Sequence, residues 1–109
     1  MPYIELTNDT REAAWSVSMW FIREYLYNKD ISLTIDERDL SGEGVEGWCI
    51  RESERSFQIQ IHSGLMYDYI PTLLHELEHV RQHVFGEPRD EYKTHCKESE
   101  LLDKYRNRE

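Results

Sequence analysis

Residues 68–86 read D-Y-I-P-T-L-L-H-E-L-E-H-V-R-Q-H-V-F-G and carry the clearest helical pattern of the chain. Asp68 is placed to cap a helix, and Pro71 is tolerated in a first turn because an amide N–H has no helical partner there. Gly86 ends the pattern. Apolar residues recur between these limits at the intervals of an amphipathic helix, namely Leu73, Leu74, Leu77, Val80 and Val84. The pattern predicts a helix from Asp68 to Phe85.

Inside this helix lies an H-E-x-x-H motif, His75-Glu76-Leu77-Glu78-His79. Side chains four residues apart share one helix face, with Cβ atoms about 5–6 Å apart. Two imidazoles placed in this way can bind one metal ion at Zn–N distances of about 2.0–2.1 Å. Glu76 is rotated by about 100° around the helix, so it faces a water molecule near the ion rather than the ion itself. The motif predicts a zinc site with Glu76 as general base and then general acid.

A catalytic zinc site needs a third protein ligand, and the helix expected over Tyr92 to Arg106 offers three candidates. Glu98 shares the apolar stripe of that helix with Leu101, Leu102 and Tyr105, and a metal would resolve the cost of burying its charge. We therefore expect Glu98 to be the ligand. Glu100 shares a face with lysines and is the reserve. His95, one turn before Glu98, is a rival ligand or a group that orients one.

The rest of the chain predicts one further helix and a small sheet. Apolar residues at helical spacing indicate a helix from about Thr10 to Asn28, with Asp9 and Glu12 at the spacing of a capping box. Alternating patterns indicate strands at Ile31 to Ile35, Val45 to Arg51 and Phe57 to Ile61. We predict an α+β fold for a single domain over residues 1–109, with an N-terminal helix, two or three strands, the H-E-x-x-H helix and a C-terminal helix.

Composition narrows the classes of partner. The 109 residues include 13 Lys and Arg against 22 Asp and Glu, a formal net charge of −9. That balance argues against nucleic acid as a general partner, since phosphate binding needs clustered cations. No apolar run is long enough for a membrane span, and the first residues do not resemble a signal peptide. We expect a cytoplasmic monomer with no membrane partner, in which Cys49 and Cys96 are reduced thiols.

The segment from His75 to Gln82, followed by Gly86-Glu87 and later by Glu98-Ser99-Glu100-Leu101, resembles small zincin-type metallopeptidases. It is similar to compact gluzincin-like and SprT-like proteins of phages and bacteria, over about Ile70 to Asp103. The resemblance implies that His75 and His79 bind zinc, that Glu76 is the catalytic base, and that a glutamate on the following helix completes the site. SprT itself uses a third histidine, which keeps His95 as a rival.

The same resemblance implies a minimal zincin-like fold in which the strand from Phe57 to Ile61 lies beside the active-site helix. The edge of that strand would hold an extended peptide by β-augmentation. We therefore expect zinc-dependent hydrolysis of a peptide or protein across a shallow site, with neutral or basic peptides favoured by the acidic charge. The alternative is a catalytically silent or latent zincin-like module that binds a protein partner.

Overall fold

Three helices and a four-stranded sheet make up the fold, which is α+β as predicted. The computed structural model describes residues 2–108. In chain order the elements are β1 (Tyr3–Thr7), α1 (Ala13–Tyr25), β2 (Ser32–Arg38), β3 (Gly47–Ser53), β4 (Ser56–His62), α2 (Tyr69–Val84) and α3 (Glu91–Arg106). None of the helices within residues 2–108 has the length and the apolar run needed to cross a bilayer.

The sheet is mixed, with the strand order β1-β2-β4-β3. The β1–β2 and β2–β4 pairs are parallel, whereas β3 and β4 form an antiparallel hairpin. β4 is therefore hydrogen-bonded on both sides, and the expectation that Phe57 to Ile61 offers a free edge is wrong. The hairpin places β3 outside β4, so β3 is the edge strand on the side of α2.

The core lies between one face of the sheet and the helices. The predicted alternation along β4 is confirmed, since Phe57, Ile59 and Ile61 are fully buried, and Leu33 and Ile35 of β2 share their face. The helices close this core with side chains that are also fully buried, among them Val17, Phe21, Leu73, Leu77 and Val80. Cys49 of β3 belongs to the same cluster as a free thiol.

The start of α1 differs from the prediction. The helix begins after Glu12 with no side-chain cap, so the expected capping box of Asp9 and Glu12 is wrong. The preceding residues instead bind β2: the Arg11 guanidinium donates two hydrogen bonds of 3.0 Å to the Glu37 carboxylate, and the Glu37 N–H donates to Thr10 Oγ1 at 2.9 Å. These tertiary contacts override the local capping pattern.

The sequence analysis did not anticipate β1. This strand pairs in parallel with β2, from Tyr3 opposite Ser32 to Thr7 opposite Asp36. It lies at the second edge of the sheet, and none of its residues is fully buried. An edge strand of this kind has only a weak alternation of apolar and polar residues, which explains why periodicity missed it.

Candidate metal centre

A cleft of about 660 Å³ lies between the edge strand β3, the helix α2 and the first turns of α3. Residues 44–48 line one side of it. Asp68, Pro71, Thr72, His75 and Glu76 contribute from α2 and its N-cap, and Arg89, Glu91, His95 and Glu98 form the opposite side. Four residues singled out from the sequence, His75, Glu76, His95 and Glu98, therefore face one cleft.

The two motif histidines converge as the i, i+4 spacing predicts. Their ring centroids are 4.9 Å apart, and the Nε2 atoms of His75 and His79 lie 3.1 and 2.6 Å from the same Glu91 Oε1 atom. One ligand atom from each of these three residues lies within 4.8 Å of the other two. His75, His79 and Glu91 could therefore hold a metal ion.

Glu91 reaches the histidines because α3 begins there. The Asp90 side chain caps the helix by accepting a hydrogen bond from the Lys93 N–H at 2.9 Å, which fixes Glu91 in the first turn. Burial acts to raise the pKa of Glu91, but its hydrogen bonds with His75 and His79 outweigh that effect and hold the pKa below its ordinary value. The carboxylate is thus kept ionised, the form in which it can bind a cation.

Gln82 connects His79 to the start of α3. Its buried side chain accepts a hydrogen bond from His79 Nδ1 at 3.0 Å through Oε1 and donates to Thr94 Oγ1 at 2.9 Å through Nε2. Thr94 in turn donates to the Asp90 carbonyl at 2.7 Å. Since Nδ1 of His79 donates to Gln82, its Nε2 atom is the one directed at Glu91, and a metal ion held there would replace the proton between Nε2 and the carboxylate. The position of Gln82 in the sequence, two helical turns after His75, favours a group that orients a ligand or contacts solvent over one that binds the ion.

The three ligand candidates predicted on α3 lie outside this group of possible metal ligands. Glu98, expected to be the third ligand, is outside the group of three, because its Oε1 atom lies 3.5 Å from Nδ1 of His75, the ring nitrogen that faces away from Glu91. His95 is largely exposed, with Nδ1 3.3 Å from Glu98 Oε2. Glu100 is exposed and pairs with Lys104 at 3.3 Å. The structure thus places Glu98 where it can orient His75.

Glu76 is a buried acid beside the histidines. Its side chain is only 5 % exposed, and its Oε1 atom has no hydrogen-bond partner among residues 2–108. Burial raises the pKa of Glu76 to about 7, although the positive charges of His75 and Arg89 act in the opposite direction. A carboxyl group with a pKa near neutrality can both accept and return a proton at physiological pH.

Gly47 lets β3 approach α2 next to this acid. A Cβ atom at Gly47 would lie 3.0 Å from Thr72 Cγ2, 3.2 Å from the Gln60 carbonyl oxygen and 3.6 Å from Glu76 Cγ. A side chain at this position would require Thr72 or the backbone at Gln60 to move by a few tenths of an ångström. The close approach buries Glu76 while leaving the cleft open along the β3 edge.

Arg81 ties α2 to the loop that leads to Glu91. Its guanidinium donates to both oxygens of the buried Glu78 at 2.9 and 2.8 Å and to both oxygens of Glu87 at 3.0 and 2.9 Å. Glu78 also lies 3.9 Å from Lys97 Nζ of α3. This network holds the α2–α3 loop in place. The sequence analysis assigned no role to it, because ion pairs between a helix and a loop leave no periodic signal.

Glu91 is the site residue that sequence reasoning missed. The search for a third ligand favoured a buried carboxylate on an apolar stripe, whereas the Glu91 side chain is 64 % exposed. A signal was nevertheless present, because Glu91 lies two helical turns before Glu98 on the same stripe, next to the buried Thr94. Extending the stripe toward Asp90 would have identified it.

The chain was compared with known proteins on three levels, and no protein-family model, curated protein or solved structure matches it.

Proposed function

We propose that this chain is a small zinc metallopeptidase in which His75, His79 and Glu91 hold the ion. The observation that supports it is the convergence of two imidazole nitrogens on one carboxylate oxygen beside a buried acid in an open cleft. A set of two histidines and one carboxylate that leaves a coordination position open suits catalytic zinc. Glu98 remains the alternative third ligand.

The chemistry divides between the ion and the protein. When bound, zinc polarises the scissile carbonyl group and lowers the pKa of a water molecule toward about 7. Glu76, which lines the cleft, would take a proton from the attacking water and return it to the leaving amine. Gln82 keeps Nε2 of His79 directed at the site.

The position of the peptide follows from the corrected strand order. β3 is the edge strand, and the cleft is lined by its first two residues together with residues 44–46 just before it. An extended peptide that pairs with this edge would pass over His75 and Glu76. The peptide would thus still add a strand to the sheet, as expected from the resemblance, but it would pair with β3 rather than with β4.

The ligand set is tested by metal analysis of purified variants. We expect about one zinc ion per chain for the wild type and none for His75→Ala. Glu91→Gln should weaken zinc affinity by more than tenfold, because a neutral amide is a much poorer ligand than a carboxylate. Glu100→Gln, which changes an exposed glutamate on the same helix, is the matched control, and Glu98→Gln tests the alternative ligand. If Glu98→Gln loses zinc while Glu91→Gln keeps it, the third ligand is Glu98.

Catalysis is tested by comparing the zinc-loaded wild type with zinc-loaded Glu76→Gln against a peptide library read by mass spectrometry. Removing the general base should lower kcat/KM by at least about 100-fold while zinc content is unchanged. Equal cleavage by both proteins would exclude Glu76 as the base. A protein that binds zinc but cleaves no peptide would support the silent binding module instead.

A further inference from the structure

Arg89 is an exposed cation on the wall of the candidate metal cleft. Within residues 2–108 its guanidinium has no ion-pair or hydrogen-bond partner. The acids nearest to it in the chain are already engaged: Glu87 binds Arg81, Asp90 caps α3, and Glu91 contacts both motif histidines. Arg89 therefore has no ion-pair partner among these acids, and it acts on Glu76 through its charge without an ion pair. A guanidinium in an open cleft presents a planar set of donors that matches a carboxylate.

Arg89 is the one lysine or arginine among the described residues that line the cleft. It lies in the loop between α2 and α3, two residues before Glu91. The other charged residues that line the cleft are acids, namely Glu46, Asp68, Glu76, Glu91 and Glu98. A single cation in an otherwise acidic cleft is the group there that can attract an anionic part of a ligand.

We infer that Arg89 is a specificity-determining residue that binds a carboxylate group of the peptide on the wall of the cleft that leads into α3. The inference rests on the proposed peptidase function and specifies its substrate class. The carboxylate is either an acidic side chain or the C-terminus of the peptide. A net charge of −9 repels anions at long range, so a preference for a carboxylate must come from a local cation.

Three synthetic probes test this inference on the zinc-loaded protein. Each carries a hydroxamate that binds zinc, joined to the same short peptide. One ends in glutamine amide and is neutral, one in glutamate amide, and one in glutamine with a free C-terminal carboxylate. Dissociation constants are measured by calorimetry for the wild type, for Arg89→Gln and for Arg106→Gln. Arg106 is an exposed arginine at the end of α3 and serves as a charge-matched control.

We expect one of the two carboxylate probes to bind the wild type about three- to tenfold more tightly than the neutral probe. Arg89→Gln should abolish that preference, measured as the ratio of the dissociation constants of the neutral and carboxylate probes, and Arg106→Gln should retain it. The probe that is preferred identifies the source of the carboxylate.

Two results would overturn the inference alone: no preference for either carboxylate probe in the wild type, or an equal loss of preference in both variants. The second result would assign the effect to net charge. Failure of all three probes to bind, together with an absence of bound zinc, would instead overturn the proposed function on which the inference depends.

Discussion

At the scale of single residues, the candidate centre depends on contacts made by side chains outside the group of His75, His79 and Glu91. Gln82 is buried between His79 and Thr94 and makes a hydrogen bond with each of them. Thr94 lies in the first turn of α3 and donates in turn to the carbonyl group of Asp90, the N-cap of that helix. A ligand histidine is oriented by the hydrogen bond that its other nitrogen makes, so Gln82 sets both the tautomer and the direction of the His79 ring. It is a positioning residue rather than a catalytic one.

Replacing Gln82 by leucine should therefore lower zinc affinity by about 10- to 100-fold, the usual effect of removing a group that orients a metal-bound histidine. The affinity is measured by competition with a chromophoric chelator, and cobalt substitution reports on ligand geometry through its visible spectrum. Thr94→Ser keeps the hydroxyl group and should bind zinc as the wild type does. If Gln82→Leu retains full affinity and an unchanged cobalt spectrum, Gln82 does not position His79.

At the scale of the elements, the network around Arg11 joins parts of the fold that are distant in sequence. Besides its two hydrogen bonds to Glu37 of β2, Arg11 donates to the carbonyl groups of Ser63 and Leu65, just after β4. Its guanidinium also lies 3.8 Å from the ring centroid of Tyr69, the first residue of α2. One side chain thus fixes where the helix that carries the motif begins.

The Glu37 charge gives this network a pH dependence. Burial acts to raise the pKa of Glu37, but the hydrogen bonds from Arg11 outweigh it and leave the pKa below its ordinary value. A lowered pKa means that ionised Glu37 stabilises the fold at neutral pH and that this contribution is lost as the pH falls through the folded-state pKa. Glu37→Gln should therefore lower the free energy of unfolding by about 1–2 kcal/mol at pH 7.

The difference in the free energy of unfolding between the wild type and the variant is measured by urea unfolding, followed by tryptophan fluorescence, at pH 7 and at a pH low enough to protonate Glu37 in the folded state. That pH lies below the ordinary glutamate pKa of about 4.3, and the difference should shrink there. Glu43→Gln, in the exposed loop between β2 and β3, is a control for the change in net charge. If the free energy of unfolding of Glu37→Gln is lower than that of the wild type by the same amount at both pH values, the variant disturbs packing rather than removing a charge interaction.

The elements with a strong internal period were predictable from the sequence. α2 and α3 begin within one residue of the expected positions, and the buried face of β4 is the predicted one. The exceptions depend on partners elsewhere in the chain. β1 is defined by its parallel pairing with β2, and the capping of α1 is replaced by contacts with Glu37. Contacts between residues that are distant in the sequence cannot be predicted from the local pattern of either segment.

At the scale of the whole molecule, two properties could not be predicted from the sequence. They are the order of the strands in the sheet and the carboxylate that lies beside the two motif histidines. The position of β4 between β2 and β3 depends on a parallel crossover, and this position transfers the free edge to β3. His75, Glu76 and His79 could be placed together because a helix brings residues four apart onto one face. Glu91 could not, because its position depends on how α3 docks against α2.

The three candidate ligands are close along the chain as well as in space. Glu91 is 16 residues from His75 and 12 from His79, whereas the hydrogen bond between Thr7 and Asp36, which joins β1 to β2, spans 29 residues. Closing a short loop costs less conformational entropy than closing a long one, and contacts of low contact order form sooner. The α2–α3 hairpin can therefore assemble its ligands before the parallel strands pair. A divalent ion present during folding would then favour an early, local nucleus.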